Sequence, residues 1–210
     1  MSDRLKIDFI GIGAPRSGTK WIVKHLRGHP DICCTIQDEP TFFSDDLKYN
    51  RGLEFYASYF NHCKNPKSVI GEFSTYYLAS KTAPERIKKH FPDVKLIACL
   101  RNPIERMYSH YLHKRAKGAL PKSPAFNIDF LNNEGKKYLE FGMYAKGLKR
   151  YLELFPAERI LVVINEDIEK DPMGFMRNIY RFLGVDSAYI PANLNKKVNF
   201  YVDGKKVHST

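Results

Sequence analysis

Short apolar runs alternate along the chain with segments of helical periodicity, and this alternation constrains the fold more than any other feature of the sequence. Strands that alternate with helices indicate a parallel sheet covered by helices. We therefore predict an α/β fold of three layers, with a parallel sheet of about five strands, in a single domain over residues 1–210. The apolar runs predict strands at 5–12, 32–35, 68–73, 94–100 and 160–165, and the periodic segments predict helices at 19–27, 51–60, 82–91, 103–117, 142–155 and 172–183.

Two of the runs are apolar almost throughout. The sequence VKLIACL at 94–100 is typical of a central strand that is buried on both faces, and LVVIN at 161–165 is similar. The polar segment 116–135 shows no clear period and follows a predicted helix, which indicates a flap or a substrate loop.

A loop rich in glycine and hydroxyl side chains runs from Gly13 to Trp21, between the first predicted strand and the first predicted helix. Backbone N–H groups and the helix dipole favour a bound anion at such a position. The spacing GxxxxG resembles a P-loop, but Thr19 and Lys20 follow Gly18, where a nucleotide triphosphatase has a Lys and then a hydroxyl for Mg²⁺. Arg16 and Thr19 offer a cation and a hydroxyl for a phosphate instead. A turn that only joins a strand to a helix is the alternative.

A second candidate phosphate site lies in LRNPIERMYSHY at 100–111. Arg101 ends the 94–100 strand and should project from the carboxyl edge of the sheet, where open α/β folds bind ligands. Asn102 and Pro103 are typical of a helix start, which places Ser109 about two turns into that helix. Arg101 and Ser109 together suit a phosphate, and the alternative is a surface ion pair with a solvated hydroxyl.

The two motifs, in this order and spacing, resemble those of sulfotransferases that use 3'-phosphoadenosine 5'-phosphosulfate (PAPS) and release 3',5'-ADP. The resemblance covers roughly residues 7 to 200 and is nearest to the heparan sulfate and bacterial branch. It implies that Arg101 and Ser109 hold the 3'-phosphate and that Glu39, in the sequence EPTFF, is the catalytic base. It also implies a 5'-phosphosulfate loop that contributes Arg16, Ser17, Gly18, Thr19, Lys20 and Trp21.

The chain departs from that branch at several positions. Arg16 stands where a Lys is usual, so this residue stabilises charge and does not donate a proton, because guanidinium does not deprotonate in proteins. Phe73 replaces a Lys that is common in the polysaccharide enzymes. Their Lys-Gly-Arg nucleotide loop is absent, and Lys196 and Lys197 in the basic tail at about 192–210 are either its substitute or part of a disordered tail.

The acceptor is predicted to be a small molecule or a carbohydrate with a hydroxyl or an amine. Glu72, Tyr76 and Tyr144 are candidate acceptor contacts, and the alternatives are an ion pair for Glu72 and packing for the two tyrosines.

The formal net charge of +11 suits anionic partners, and a solvated basic surface accounts for it equally well. Two other functions stay open: a small-molecule or nucleotide kinase with a degenerate P-loop, and a basic nucleic-acid-binding module. The second lacks any recognisable nucleic-acid-binding signature, so we expect no nucleic-acid partner.

Four cysteines, with no CxxC spacing, predict free thiols in a cytoplasmic protein: Cys33, Cys34, Cys63 and Cys99. We also predict no export signal and no membrane span, since no run of eighteen apolar residues occurs. His110 and His113 have no carboxylate or Cys partner near them in the sequence, so no metal site is expected.

Overall fold

The computed structural model describes residues 6–65, 68–120 and 126–194, together with the backbone of 200–202 and 205–207. The strands are β1 Phe9–Gly13, β2 Ile32–Cys34, β3 Val69–Phe73, β4 Lys95–Leu100, β5 Ile160–Ile164, β6 Phe200–Val202 and β7 Lys205–Val207. The helices are α1 Thr19–Gly28, α2 Asp46–Tyr49, α3 Gly52–Ser58, α4 Ala83–His90, α5 Pro103–Ala116, α6 Ile128–Asn132, α7 Lys136–Glu140, α8 Tyr144–Leu152, α9 Asp167–Lys170 and α10 Pro172–Leu183.

The first five strands form one parallel sheet in the order β2-β3-β1-β4-β5. The chain passes from β1 to the edge at β2, returns to β3 beside β1, and then crosses to β4 on the other side of β1. The strand order therefore reverses between β1 and β4, and ligands of open α/β sheets bind at the carboxyl ends of strands at such a switch point. The predicted fold class and all five predicted strands are confirmed.

Alternating residues of the central strands supply two separate hydrophobic layers. On one face, Ile10 and Leu96 pack with residues of α4 and α8. On the other face, Phe9 and Ile97 pack with residues of α1 and α10. The sheet is thus the middle of three layers, because a strand that points successive side chains to opposite faces is buried only when helices cover both.

The outer strand β5 departs from the sequence prediction. Val162 and Ile164 are 40% and 42% exposed, although their run is as apolar as that of β4. Hydrophobic composition alone does not distinguish an edge strand from a central one. In the described sheet β5 pairs with β4 on one side only, and it is not the doubly buried strand that we predicted.

The segment 116–135 contains a short helix, whereas we predicted a flap or a substrate loop without regular structure. Residues 121–125 lie outside the described residues, but α6 begins at Ile128, and Phe130 is buried with Met107, Tyr111 and Tyr138 in a small cluster under α5. The segment's polar sequence hid this helix because only a single turn of it faces the cluster. Residues 192–210 include the β6–β7 hairpin, whereas Lys196 and Lys197 fall outside the described residues.

The prediction of four free thiols is wrong in this structure. Cys33 and Cys63 form a disulfide with their Cα atoms 5.8 Å apart, and Cys34 and Cys99 are free and buried. The two partners are 30 residues apart in sequence, and it is the return of the chain after α3 to the edge strand β2 that brings them together. Within the described part of the chain, no helix is long and apolar enough to cross a membrane.

Candidate functional site

The loop between β1 and α1 has the backbone of an anion site. Arg16 and Gly18 both adopt left-handed conformations, with φ of 68° and 81°. Gly18 occupies the cap position of α1, where no side chain satisfies the first N–H groups, and the first turn of α1 carries no acidic residue. A helix N-terminus of this kind favours a negatively charged ligand, because its N–H groups and dipole both face the loop.

The carbonyl of Ser17 fixes the loop to the neighbouring strands. It accepts hydrogen bonds from Cys99 Sγ at 2.8 Å and from Asn165 Nδ2 at 3.2 Å, and the N–H of Ala14 donates to the Cys99 carbonyl at 2.7 Å. A Cβ on Gly18 would collide with Asn165 Nδ2. Asn165 directly follows β5, and no sequence pattern marks it as a site residue, because only the pairing of β5 with β4 brings it to the loop.

The two predicted phosphate motifs meet at the switch point. Arg16 Nε donates a hydrogen bond to Ser109 Oγ at 3.2 Å, across 93 residues of sequence. Ser109 lies on α5, which begins at Pro103 with Asn102 as its cap, as predicted: Asn102 Oδ1 accepts from the N–H groups of Ile104 and Glu105. The loop after β1 and the helix after β4 therefore share one site.

Arg101 follows the last residue of β4, as expected, and is partly exposed. Its guanidinium forms an ion pair with the carboxylate of Glu105 in the first turn of α5, with a nitrogen-to-oxygen distance of 3.0 Å. Its carbonyl accepts a hydrogen bond from the hydroxyl of Tyr144 at 2.9 Å, which joins the start of α8 to the end of β4. Tyr144 thus holds the backbone of Arg101, and this role differs from the acceptor contact that we predicted for Tyr144.

Glu39 lies in the loop that follows β2 and is half-buried. Its Oε2 accepts a hydrogen bond from Thr75 Oγ1 at 3.0 Å, and its own backbone is left-handed, with φ of 53°. Burial raises the pKa of the Glu39 carboxyl above its ordinary value, while the Thr75 hydrogen bond and the charges of Lys20 and Arg16 act in the opposite direction. A carboxylate with a raised pKa is a stronger base than a solvated one.

A cavity of about 340 Å³ opens beside Glu39. Lys20, Lys24 and Arg27 come from one face of α1 and line it on one side. Asp38 pairs with two of these cations, with Arg27 at 3.1 Å and with Lys20 at 3.6 Å. The remaining lining is mixed in polarity: Thr19, Val23, Cys34, Thr35, Gln37, Phe73 and Thr75. The cavity is polar and charged at one end and has apolar side chains beside it.

Glu72 is in a different environment from the one predicted. It is completely buried, and its carboxylate accepts hydrogen bonds from the hydroxyls of Ser74 at 2.7 Å, Tyr77 at 2.8 Å and Tyr56 at 3.4 Å. Burial raises its pKa to about 7, against the effect of the three hydroxyls. With no exposed surface, Glu72 lacks the access that a direct acceptor contact needs.

Two of these hydroxyls, those of Ser74 and Tyr77, connect Glu72 to the turn that follows Glu39. Ser74 Oγ accepts from the N–H of Thr41 at 2.8 Å, and Tyr77 OH accepts from the N–H of Phe43 at 3.2 Å. Each hydroxyl thereby donates to the buried carboxylate and accepts from the turn. The network holds the backbone two to four residues beyond Glu39, which identifies Glu72 as a positioning residue for this turn.

Two aromatic candidates take different positions. Trp21 is 6% exposed and packs against His25 and Phe175 between α1 and α10, so its ring belongs to the hydrophobic core and the packing gives no support to a nucleotide contact. Tyr76 is half-buried with its ring 5.2 Å from that of Phe141. Burial and then the Glu39 charge raise the pKa of Tyr76, which is consistent with a place at the rim of the site.

Comparison with known proteins gives a consistent answer. Residues 6–202 match a family described as sulfotransferase domain. The human heparan sulfate glucosamine 3-O-sulfotransferase 6 is 32% identical over 180 residues, which cover 83% of this chain and 51% of that protein. The chain thus spans about half the length of this curated relative.

Solved structures agree in fold. The sulfotransferase from Alicyclobacillus acidocaldarius is 27% identical with a TM-score of 0.80, over 92% of this chain and 87% of that one. A mouse sulfotransferase complexed with PAP is 21% identical with a TM-score of 0.61, over 90% of this chain and 62% of that one, and supports the fold alone.

Proposed function

The chain belongs to the sulfotransferase family, and from this premise we propose that it transfers a sulfuryl group from PAPS to a hydroxyl or an amine of a carbohydrate or small-molecule acceptor. The observation that carries the proposal is the hydrogen bond from Arg16 to Ser109. It joins the segment assigned to the 5'-phosphosulfate with the segment assigned to the 3'-phosphate. One nucleotide with phosphates at both positions would engage both segments at once.

The residues of the site fit such a nucleotide. The start of α1 has no acidic residue and no side-chain cap, and the loop needs a glycine at position 18, which leaves its N–H groups accessible to an anion. Arg16 supplies a cation to the 5'-phosphosulfate, and Arg101 supplies one to the 3'-phosphate. PAP, which is 3',5'-ADP, is present in the mouse structure that shares this fold.

The roles of the side chains follow from their charges. When bound, PAPS supplies the sulfuryl group, which passes to the acceptor oxygen or nitrogen as the bond to the 5'-phosphate oxygen breaks. Thr19, Lys20 and the loop amides hold the 5' end, and Arg16 stays cationic and stabilises charge on the departing phosphate. Arg101 and Ser109 hold the 3'-phosphate. For this, the exposed ion pair between Arg101 and Glu105 must break, or the Arg101 guanidinium must bind Glu105 and the phosphate at the same time.

Glu39 is proposed as the general base. It takes the proton that the acceptor hydroxyl or amine loses as it attacks sulfur. Its raised pKa suits this role, because a base whose pKa lies nearer the working pH accepts a proton more readily in the transition state. The acceptor is proposed to occupy the 340 Å³ cavity beside Glu39, where the α1 cations would attract an acceptor that carries negative charge.

A carbohydrate acceptor is favoured by the relatives whose names specify heparan sulfate glucosamine. Phe73 lines the cavity at the position where the polysaccharide enzymes commonly have a Lys, which argues against an acceptor identical to theirs. Family membership disfavours the kinase and the nucleic-acid-binding alternatives. A cytoplasmic location stays a prediction, and the disulfide removes one of its supports, since two of the four cysteines are no longer free.

A thermal-shift panel with 3',5'-ADP, ADP, ATP and AMP, each with and without EDTA, tests nucleotide choice. We expect 3',5'-ADP to raise the melting temperature most, with no effect of EDTA, because ligand binding to the folded state adds RT ln(1 + [L]/Kd) to stability. A preference for ATP that requires Mg²⁺ would instead indicate a kinase. Release of 3',5'-ADP from PAPS in the presence of amino-sugar oligosaccharides or phenols then tests transfer and acceptor class.

A further inference from the structure

A cluster of metal-ligating side chains lies away from the nucleotide loop, at the edge strand β2. Cys33 is the middle residue of β2, and Cys63 returns to it after α3. His62 directs its Nε2 at both sulfurs, 3.5 Å from Cys33 Sγ and 3.7 Å from Cys63 Sγ. Within the described residues these three form a group whose ligand atoms all lie within 4.8 Å of one another.

These nitrogen-to-sulfur distances match those of a zinc site. Zinc binds Cys sulfur at about 2.3 Å and His nitrogen at about 2.0 to 2.1 Å in tetrahedral geometry, which places the nitrogen about 3.6 Å from each sulfur. His62 Nε2 already lies at that separation from both sulfurs. Two changes are still needed. The sulfurs must separate from bonded contact to about 3.8 Å, the ligand separation of the same geometry, and the His62 ring must turn away from the Cys34 carbonyl oxygen, which lies 2.9 Å from Nε2.

We propose that Cys33, His62 and Cys63 form a redox-gated site that binds one zinc-class divalent ion when the disulfide is reduced and releases it when the disulfide forms. A dithiol reductant gives up two electrons and two protons, so that the S–S bond breaks and two thiols form while the reductant becomes a disulfide. Metal binding then displaces both thiol protons to solvent. In the reverse direction a disulfide oxidant accepts two electrons from the two thiolates and two protons from solvent and becomes a dithiol, while the Cys33–Cys63 bond forms. Two ligands are thereby removed at once, and the ion leaves.

His62 changes its hydrogen-bonding role in this exchange. In the disulfide form its Nε2 lies 2.9 Å from the carbonyl oxygen of Cys34, so this nitrogen carries the proton and donates. To ligate a metal, Nε2 must be unprotonated and Nδ1 must carry the proton instead. The site therefore supplies three protein ligands and leaves one position of the tetrahedron for water.

Accessibility separates this cluster from the other two cysteines. His62 is exposed, Cys33 and Cys63 are half-buried, and a cavity of about 300 Å³ borders the cluster, so a reductant and a hydrated ion both have access. Cys34, next to Cys33 in sequence, is buried, and burial raises the pKa of its thiol to about 12. The thiol of Cys34 does not belong to the group of ligand atoms that lie within 4.8 Å of one another.

Either state of the cluster closes the same loop. The disulfide and the bound ion both join Cys33 to Cys63, and the enclosed segment includes Glu39, α2 and α3. The proposal stands independently of sulfuryl transfer, because none of its three ligands lines the cavity beside Glu39.

Titration of the full chain with Zn²⁺ by calorimetry, and with Co²⁺ by absorption, tests the site in the oxidised state and after treatment with a phosphine reductant. We expect one ion per chain in the reduced state, with sulfur-to-cobalt charge-transfer absorption, and no binding in the oxidised state. His62→Gln retains the disulfide, and reduced His62→Gln should bind at least about tenfold more weakly, since loss even of an outer-shell partner costs about that much. Cys34→Ala is the matched control and should bind like the unaltered chain.

Alkylation with iodoacetamide gives a readout that does not depend on a folded cysteine variant. In the reduced chain Zn²⁺ should protect Cys33 and Cys63 from the reagent, as seen by peptide mass spectrometry. Equal alkylation with and without Zn²⁺, binding unaffected by His62→Gln, or equal binding in both redox states would each overturn the proposal.

Discussion

The phosphate loop at 13–19 and the turn at 39–44 flank the same end of the sheet but are held by different kinds of contact. The loop is fixed through its backbone, chiefly the Ser17 carbonyl, and through the absence of a side chain at Gly18. The turn is fixed by hydroxyls that converge on the buried Glu72 carboxylate. The conformation of the loop therefore depends on the lack of a side chain at Gly18, and that of the turn depends on a titratable carboxyl group. The two regions should respond differently to substitution and to pH.

The largest expected effect is that of a methyl group added at Gly18. This substitution tests whether the loop requires the absence of a side chain at this position. Gly18 and Gly52 have nearly equal φ of 81° and 82°, but only Gly18 has a described atom in the way of a Cβ. Gly18→Ala should weaken 3',5'-ADP binding at least about a hundredfold, because displaced loop amides lose charge-assisted hydrogen bonds of about 1.5 to 3 kcal/mol each. Isothermal titration calorimetry measures the loss.

Gly52→Ala is the matched control for backbone strain. It should lower stability by about 1 to 2 kcal/mol, the usual cost of a left-handed backbone with a Cβ, and leave nucleotide affinity unchanged. Equal affinity losses in the two variants would mean that strain, and not the collision with Asn165, governs the loop.

The next effect concerns Glu39, the proposed base on the turn. Glu39→Gln should lower kcat at least about a hundredfold and leave 3',5'-ADP affinity unchanged, because the base acts only on the acceptor. In the unaltered enzyme kcat should fall as pH falls through the raised pKa of Glu39, since only the carboxylate accepts a proton. Asp38→Asn, which alters the adjacent carboxyl group, should change kcat far less. A Glu39→Gln enzyme with near-normal kcat would remove Glu39 from the mechanism.

A third prediction tests whether the turn is the pH-sensitive region. Burial raises the pKa of Glu72 from 4.5 to about 7, so between these values the folded chain keeps a proton that the unfolded chain has lost. The contribution of Glu72 to stability is therefore greatest below pH 4.5 and falls as the pH rises to about 7, by on the order of 3 kcal/mol.

Urea unfolding of the unaltered chain and of Glu72→Gln across this pH range measures the contribution. The difference in free energy of unfolding between the two proteins should change with pH between these limits and become constant above about pH 7. Parallel stability curves for the two proteins would show that Glu72 does not titrate in this range. The loop contains no such group, so any change of nucleotide affinity in this range should follow the second ionisation of the nucleotide's own phosphates, whose pKa is about 6.

The smallest effect sharpens the comparison within the nucleotide site itself. Arg101→Ala should weaken 3',5'-ADP binding by about 1.5 to 3 kcal/mol and leave 5'-AMP binding nearly unchanged, since the lost bond is to the 3'-phosphate. Arg115→Ala, at the far end of α5, controls for the loss of positive charge. If calorimetry gives equal losses for 3',5'-ADP and 5'-AMP, Arg101 does not contact the 3'-phosphate.

The proposed nucleotide site was largely predictable because its elements are local in sequence. Arg16, Gly18 and Thr19 lie in one loop that a strand and a helix bracket, and Arg101 and Ser109 lie on one strand end and the helix that follows it. Backbone geometry fixes the relative positions of residues that are close in sequence, so such short-range patterns can be predicted from the sequence. Thr75, Tyr77 and Asn165 were not predictable, because each acts on a partner that is distant in sequence.

The sequence by itself determined the alternation of strands and helices, and with it the carboxyl edge at which Arg16, Arg101 and Glu39 all emerge. Periodicity and capping are properties of neighbouring residues, so they survive without tertiary information. Only the tertiary structure decided that β5 is an edge strand, that Glu72 is a buried support and Trp21 a core residue, and that Cys33 pairs with Cys63. Burial and long-range contacts depend on which elements pack together, and the same side chain is a ligand contact in one packing and a part of the core in another.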